Sequence, residues 1–403
     1  MGPMGLAELL KEIVRAPIES ALKIYFSTQP PVYFNPHEVH SILVFAYHGL
    51  GNFIMYTPAL KLLRESYPNA RIDLQVGNNT GNEEVLADSG LFDNIFNLPI
   101  DAGVGAWVRR VREIRQIGYD LTINEFHSHS WRLAMAVFVS GARFRAGHVT
   151  SPGWSRQFSR FSFIFNIPVS MREDQHEIER YIDLATSVGA RQLSLPEAEP
   201  EVHLNIEDRE FADRFFNTVD GPVIGVQPGT SATMRWKQWP VDRYRELIKR
   251  LVAEEPTLCI VLFGSQSEVE MIAAMAKDLG SQVRVAAGKT TVKQVAALIE
   301  RCDVLVCNDS GLMHVAVAVK TPVVAIYGPT DFRRTAPLGE FHTIVRHSLT
   351  CSPCFKLEGD YQPRSCPHHD CLMTIDPLEV FDATIDRTKI SIDSRKSVAG
   401  VVN

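Results

Sequence analysis

Residues 303–331 read DVLVCNDSGLMHVAVAVKTPVVAIYGPTD. VLVC is a short apolar run of the kind found in strands buried on both faces. Asn308-Asp309-Ser310-Gly311 is turn chemistry, the residues from Leu312 onward suit a helix, and PVVAIYGP (322–329) is a second buried strand. A strand, a helix and a strand within about thirty residues make a βαβ unit, with parallel strands and a right-handed crossover.

The same alternation extends in both directions. Upstream come the strand and Gly turn PVIGVQPG (222–229), a helix over 240–254, the strand TLCIVLFGS (257–265), a helix over 266–279, QVRVAAG (282–288) and a helix over 291–301. A comparable run occupies the first half: SILVFAY (41–47), the turn HGLGN (48–52), a helix over 53–66, ARIDLQVG (70–77), IFNLP (95–99), VGAWVRRVREIRQIG (104–118), YDLTINEF (119–126), and helices reaching Val139 and spanning 176–189. The expected fold class is α/β, with two Rossmann-like, doubly wound domains facing a central cleft. The expected divisions are an N-terminal amphipathic helix and lead-in (1–40), kinked or split at Pro17; a first domain (41–192); a Pro- and Glu-rich linker (193–204); a second domain (205–390); and a frayed tail (391–403). No repeat of solenoid period is visible.

Composition sets outer limits. The chain has 403 residues, of which 45% are hydrophobic and 22% charged, which excludes a largely disordered or collagen-like protein. A net charge of −6 argues against a general nucleic-acid binder. No apolar run is long enough to span a bilayer, since VAVAVKTPVVAIY is broken by Lys320 and Pro322. The N-terminal residues include Glu8, Glu12 and Glu19 and lack a signal-peptide apolar region, so the expectation is a cytoplasmic enzyme.

In open parallel sheets ligands sit beyond the carboxyl ends of the strands, so the loops there carry the candidate chemistry. The first is Tyr47-His48-Gly49-Leu50-Gly51-Asn52. Gly49 and Gly51 allow a close approach to a helix N-terminus, which favours anions, with His48 and Asn52 toward the cleft. As a nicotinamide fingerprint it is weak, because Ile54 occupies the third glycine position and Asp73 lies inside its strand. The second loop runs from Gln227 to Pro240. Its hydroxyls at Thr230, Ser231 and Thr233 and its cations at Arg235 and Lys237 suit a diphosphate, although it is not a Walker A loop. The third is Asn308 to His314. Asp309 can cap the helix, Ser310 and Gly311 sit where it begins, and His314 lies about one turn further along.

Together these blocks resemble glycosyltransferase family 9, the ADP-heptose–lipopolysaccharide heptosyltransferases and their relatives. The matching segments are GLGNFIMYTPALKLLRESYPNARIDL (49–74), QPGTSATMRWKQWPVDRYRELI (227–248), NDSGLMHVAVAVKTPVVAIYGPTD (308–331) and, in mid-domain, YDLTINEFHSHSWR (119–132). The resemblance implies the two-domain GT-B architecture and an inverting transfer of a sugar, here heptose from ADP-heptose, to a hydroxyl of a lipopolysaccharide-type or lipid-linked glycan. It places the nucleotide-sugar in the second domain, with Lys237 near the diphosphate and Asp309, Ser310, Gly311 and His314 around phosphates and ribose. The acceptor falls to the first domain, at the inner face of the cytoplasmic membrane, with peripheral membrane contact and oligomerisation left open. Catalysis needs no metal if Lys, Arg and helix N-termini stabilise the leaving charge.

One departure matters. The family usually carries an Asp, taken as the general base, where this chain has Asn52. An amide accepts no proton at neutral pH, so the candidates become Glu125 and His127, with His48 and His129 beside them and Asp101 and Asp120 behind. Two other readings stay open: a nucleotide-sugar-binding protein without transfer activity, for which Asn52 is the hint, and an NAD-dependent oxidoreductase, which the first loop argues against.

The segment CSPCFKLEGDYQPRSCPHHDCL sets Cys351, Cys354, Cys366 and Cys371 as C-x₂-C, eleven residues, then C-x₄-C. Four thiolates suit a structural zinc or iron, with His368 and His369 as substitutes; disulfides or free thiols are the competing reading. The segment also resembles the iron-binding finger of autotransporter heptosyltransferases, which glycosylate protein, so that subgroup is an alternative. Cys259, Cys302 and Cys307 are expected to be core thiols.

Overall fold

The computed structural model describes residues 6–77, 81–125, 131–149, 161–172, 174–355 and 366–401. Two six-stranded sheets, parallel throughout, organise them. The first contains β1 (Ser41–Ala46), β2 (Arg71–Val76), β3 (Asn94–Asn97), β4 (Leu121–Asn124), β5 (Phe144–Val149) and β6 (Ile167–Ser170), in the order β3-β2-β1-β4-β5-β6. The second contains β7 (Val223–Gln227), β8 (Cys259–Leu262), β9 (Val283–Val285), β10 (Val304–Asn308), β11 (Val323–Ile326) and β12 (Thr343–Val345), in the order β12-β11-β10-β7-β8-β9. Counted from the first strand of each half, the two orders are the same. In both, the chain reverses direction of growth next to the first strand, which opens a crevice between β1 and β4 and between β7 and β10.

The sequence explains why these strands are central. β4, β7 and β10 are buried along their lengths and β1 from Ile42 onward, with registers such as Val44 opposite Ile123 and Val306 opposite Val226. Helices on both faces demand unbroken apolar runs rather than alternation. The helix Leu50–Ser66, which leaves β1, buries Phe53 to Leu60, Leu62 and Leu63. It packs against the helix Glu177–Ser187 and against Gly311–Ala318 of the other half, so one apolar core runs from Val44 and Phe53 to Met313 and Val315.

Several expectations change. Pro17 lies inside one helix, Leu6–Ser27, rather than splitting it. The helix Pro377–Val401 continues into the stretch expected to fray, because Thr384, Thr388 and Ser391 are buried as it packs along the second sheet. The Pro-rich 193–204 segment is anchored: Ala198 and Leu204 are buried, and the His203 N–H donates to the Val85 carbonyl at 2.9 Å. Strands β5, β6 and β12 were not read from the sequence. Among the described residues no helix is long and apolar enough to cross a membrane.

Candidate functional site

The first, second and third candidate loops follow β1, β7 and β10, three of the four strands that flank the two crevices; Glu125 follows the fourth, β4. In the second half Asn308, fully buried, joins its two loops. Its Oδ1 accepts the Trp239 N–H at 2.8 Å, and its Nδ2 donates to the carbonyls of Pro228 (3.0 Å) and Gly229 (3.1 Å). A Cβ at Gly229 would lie 1.6 Å from Glu268 Oε1, so a larger residue there would displace the Glu268 carboxylate. Ser310 Oγ donates to Gln227 Oε1, tying the start of the helix Gly311–Ala318 to the end of β7.

On this frame Lys237 Nζ donates to Asp309 Oδ2 at 3.0 Å, with both side chains mostly buried. Burial alone would raise the Asp309 carboxyl; the charge and hydrogen bond of Lys237 outweigh it and hold the group below its ordinary value. Burial brings His314 down to about 4, so its imidazole is neutral at pH 7. The loop hydroxyls divide. Thr230 Oγ1 is turned inward, donating to the Met234 carbonyl at 3.1 Å, whereas Ser231, Thr233 and Arg235 are exposed along the 3₁₀ turn Ala232–Lys237.

In the first half the chemistry is more enclosed. Glu125, fully buried, lies with Oε1 3.8 Å from Nε2 of His48, which is also buried. Aromatic rings surround the pair: Tyr56 and Tyr181 approach to 4.5 Å between centroids, and His48 lies 5.8 Å from Phe53 and 6.1 Å from Tyr181. Both phenols are pushed well above their usual value, by burial first and then by the Glu125 charge. Asn52 is half-buried in the first turn of Leu50–Ser66, and Gly49 faces open space. His127 and His129 lie outside the described residues. Asp120 sits at the opposite, amino end of the sheet, where Oδ2 accepts from the Ser41 N–H (3.0 Å) and Oγ (2.9 Å).

The two halves meet at their glycines. A Cβ on Gly51 would fall 2.8 Å from His314 Cδ2 and 3.3 Å from the Gly311 Cα, so Gly51 serves a close approach of one helix N-terminus to the other. Asp73, considered for a ribose, is buried inside β2 and accepts from Arg71 Nε (2.8 Å) and Asn94 Nδ2 (3.0 Å), which removes it from any cofactor site.

The sequence did not single out His176, Glu177, Arg180 or Arg334: His176 and Glu177 act electrostatically on His314, and Arg180 and Arg334 both pair with Glu177. A hydrophobic pattern reads such residues as the polar face of an amphipathic helix. For His176, Glu177 and Arg180 the available signal was their clustering at the start of the helix Glu177–Ser187; Arg334, in the segment after β11, carried none.

Among the four clustered cysteines, Cys351 is exposed, Cys354 and Cys366 are half-buried and Cys371 is buried. Burial, then the neighbouring thiols, raise Cys354 and Cys371, the latter to about 11. Among the described residues no three or more His, Cys, Asp or Glu side chains form a group that fits a metal ion. The segment instead packs by Phe355 on Trp236 of the second loop, with ring centroids 5.0 Å apart. Cys259, Cys302 and Cys307 are buried core residues, as expected.

Two facing Rossmann-like units of the same strand order define the GT-B class of fold. The chain belongs to the family described as Glycosyltransferase family 9 (heptosyltransferase), whose pattern matches residues 107–364. It is 29% identical over 325 residues to lipopolysaccharide heptosyltransferase 2 of Escherichia coli K12, covering 76% of this chain and 87% of that one. It is 28% identical over 322 residues to lipooligosaccharide heptosyltransferase 2 of Haemophilus influenzae, covering 76% and 88%. Among solved structures, E. coli ADP-heptose lps heptosyltransferase II superposes with a TM-score of 0.68 at 26% identity, over 86% of this chain and 98% of that one. A family 9 glycosyl transferase from Veillonella parvula gives a TM-score of 0.69 at 22% identity over 87% and 97%, a likeness of fold.

Proposed function

We propose that this glycosyltransferase moves heptose from ADP-heptose to a hydroxyl of a lipopolysaccharide-type acceptor, with inversion at the anomeric carbon. The nucleotide side comprises 205–390, the acceptor side 41–192, and 193–204 joins them. The observation that carries this reading is the opposition of two unlike sites at equivalent crevices: the Lys237–Asp309 ion pair at the start of one helix, and the His48–Glu125 pair beside the start of the other.

In the reaction the acceptor oxygen bonds to C1 of the sugar as the bond from C1 to the diphosphate oxygen breaks. The acceptor proton passes to the His48–Glu125 pair, whose separation tightens when substrate is bound. Asn52, lacking a basic atom, orients the acceptor hydroxyl. Lys237 and the N–H groups of Ser310 and Gly311 meet the charge that develops on the departing ADP, with Arg235, Ser231 and Thr233 closing over it. Asp309 holds Lys237 in place, and neutral His314 contacts the donor without adding charge.

The acceptor side meets the membrane's inner face. The helix Val104–Ile117 exposes Val104 and Val108 beside Arg109, Arg112 and Arg115, a basic amphipathic surface in an acidic chain that suits anionic headgroups. A structural zinc or iron on Cys351, Cys354, Cys366 and Cys371 finds support in the proximity of the four thiols and none in their present arrangement. Elemental analysis of the purified protein decides it: less than a tenth of an equivalent of either metal would remove it.

The test of the main reading is incubation with ADP-heptose and a truncated lipopolysaccharide core, followed by mass spectrometry. A gain of one heptose is expected. Donor binding without turnover would favour a binding protein, and a preference for UDP or GDP over ADP would change the sugar.

A further inference from the structure

The helix Glu177–Ser187 belongs to the half that carries β1–β6, yet its first turn grips the other half. Glu177 is 2% exposed, and its Oε1 accepts from Arg180 Nη1 at 2.9 Å in its own helix and from Arg334 Nη2 across the crevice. One residue earlier, His176 makes a second contact with the same segment. Its Nδ1 accepts the Ile178 N–H at 3.2 Å, so the proton of the neutral ring is on Nε2, which donates to the Ala336 carbonyl at 3.1 Å. Two adjacent residues thus hold two points of the 334–336 segment.

Both ends of this contact lead to a reacting site. The gripped segment follows β11, and Tyr327 at its base contacts Thr335 (3.3 Å, hydroxyl to hydroxyl) and Met313 (3.6 Å) of the helix that starts beside Asp309. In the other direction Arg180 is followed by Tyr181, which lies against Tyr56 and His48 in the Glu125 pocket. A buried ion pair is weak evidence for stability, because apolar replacements of similar volume are often neutral or better. A carboxylate buried between guanidinium groups from opposite halves is better explained by the geometry it enforces.

We propose that His176 and Glu177 clasp the nucleotide side through Ala336 and Arg334, making Glu177 a positioning residue that sets the distance between the donor and the His48–Glu125 pair. This rests on the functional reading above. It concerns residues that lie outside the loops assigned to nucleotide and acceptor.

The test compares Arg334→Gln, Glu177→Gln and the double variant with the wild type. Bioorthogonal spin labels at exposed Arg112 and Glu270, one in each half, report the separation in the presence of ADP. The clasp predicts a narrow distance distribution in the wild type and a broadened one in each variant. Transfer kcat falls at least tenfold while ADP affinity stays within threefold, and the double variant is no worse than twofold below the poorer single one, as expected when both residues act through one contact. Arg334→Lys, which keeps the charge, recovers part of kcat. A narrow distribution with full kcat in Arg334→Gln would overturn the inference, as would an equal loss of ADP affinity and kcat. Should Glu177→Gln fail to fold, Arg334→Gln, altered at a partly exposed side chain, carries the test alone. Failure of the wild type to bind ADP would refute the functional reading, while the label distances would still decide the clasp.

Discussion

The two halves begin alike, with a parallel strand, a glycine-bearing turn and a helix, and then fill the equivalent crevice with opposite surroundings. After β7 and β10 the side chains are tied by directed hydrogen bonds around a fixed ion pair, Lys237–Asp309. After β1 and β4 a carboxylate and an imidazole are enclosed by phenol rings. A diphosphate carries permanent charge and is met by permanent charge. A hydroxyl must give up a proton, and a group that changes protonation is tuned by burial and neighbours.

If that contrast is correct, Glu125→Gln has the largest effect. Transfer in single-turnover experiments should fall on the order of 10²–10⁴-fold, with the melting temperature little changed. A variant that retains full activity breaks the comparison on the acceptor side.

The second prediction concerns pH. His314 has a folded-state value of about 4 against an ordinary 6.5, so the stability it contributes is present above pH 6.5 and is lost as the pH falls toward 4. The loss should be on the order of 3 kcal/mol at pH 4, and His314→Gln should remove that part of the slope in urea titrations. Asp309 is depressed as well, but from the carboxylate range, so its contribution is lost only as the pH falls below that range, and the two windows separate the groups. A His314→Gln curve that parallels the wild type would contradict the burial of a neutral ring.

Gly51→Ala comes next. Its methyl carbon would lie 2.8 Å from His314 Cδ2, and displacing the ring should cost about 1–3 kcal/mol of stability together with transfer activity. Gly49→Ala, facing open space, is the control for stability and should leave the melting temperature nearly unchanged. Smallest of all, Asn52→Ala should remove about one hydrogen bond's worth of orientation, roughly fivefold in kcat. A loss as large as that of Glu125→Gln would return the central role to position 52.

The same contrast explains what the sequence revealed. The nucleotide side is legible because its parts are contiguous: Gln227 to Pro240 and Asn308 to His314 are two short stretches, each ending a buried apolar strand. The βαβ alternation was legible for the same reason, since two-sided burial leaves unbroken runs such as VLVC and VVAI. Short edge strands do not carry that signature; β12 (Thr343–Val345) is only half-buried over most of its length, and β6 (Ile167–Ser170) alternates half-buried and exposed residues around Pro168. The acceptor side is assembled from distant points, with His48, Tyr56, Glu125 and Tyr181 meeting only once β1 and β4 pair and two helices pack on one another. Glu177 and Arg334 are separated by more than a hundred and fifty residues, and nothing in the sequence ties one to the other. Thr230 shows what a loop pattern leaves out, since its hydroxyl donates to the Met234 carbonyl of its own loop.

The most direct test of this division of labour is a calorimetric titration of ADP into the wild type, Glu125→Gln and Lys237→Ala. The account predicts one site of equal affinity in the first two proteins and at least tenfold weaker binding in the third, since a hydrogen bond to a charged group contributes about 1.5–3 kcal/mol. Unchanged affinity in Lys237→Ala, or loss of binding in Glu125→Gln, would contradict it.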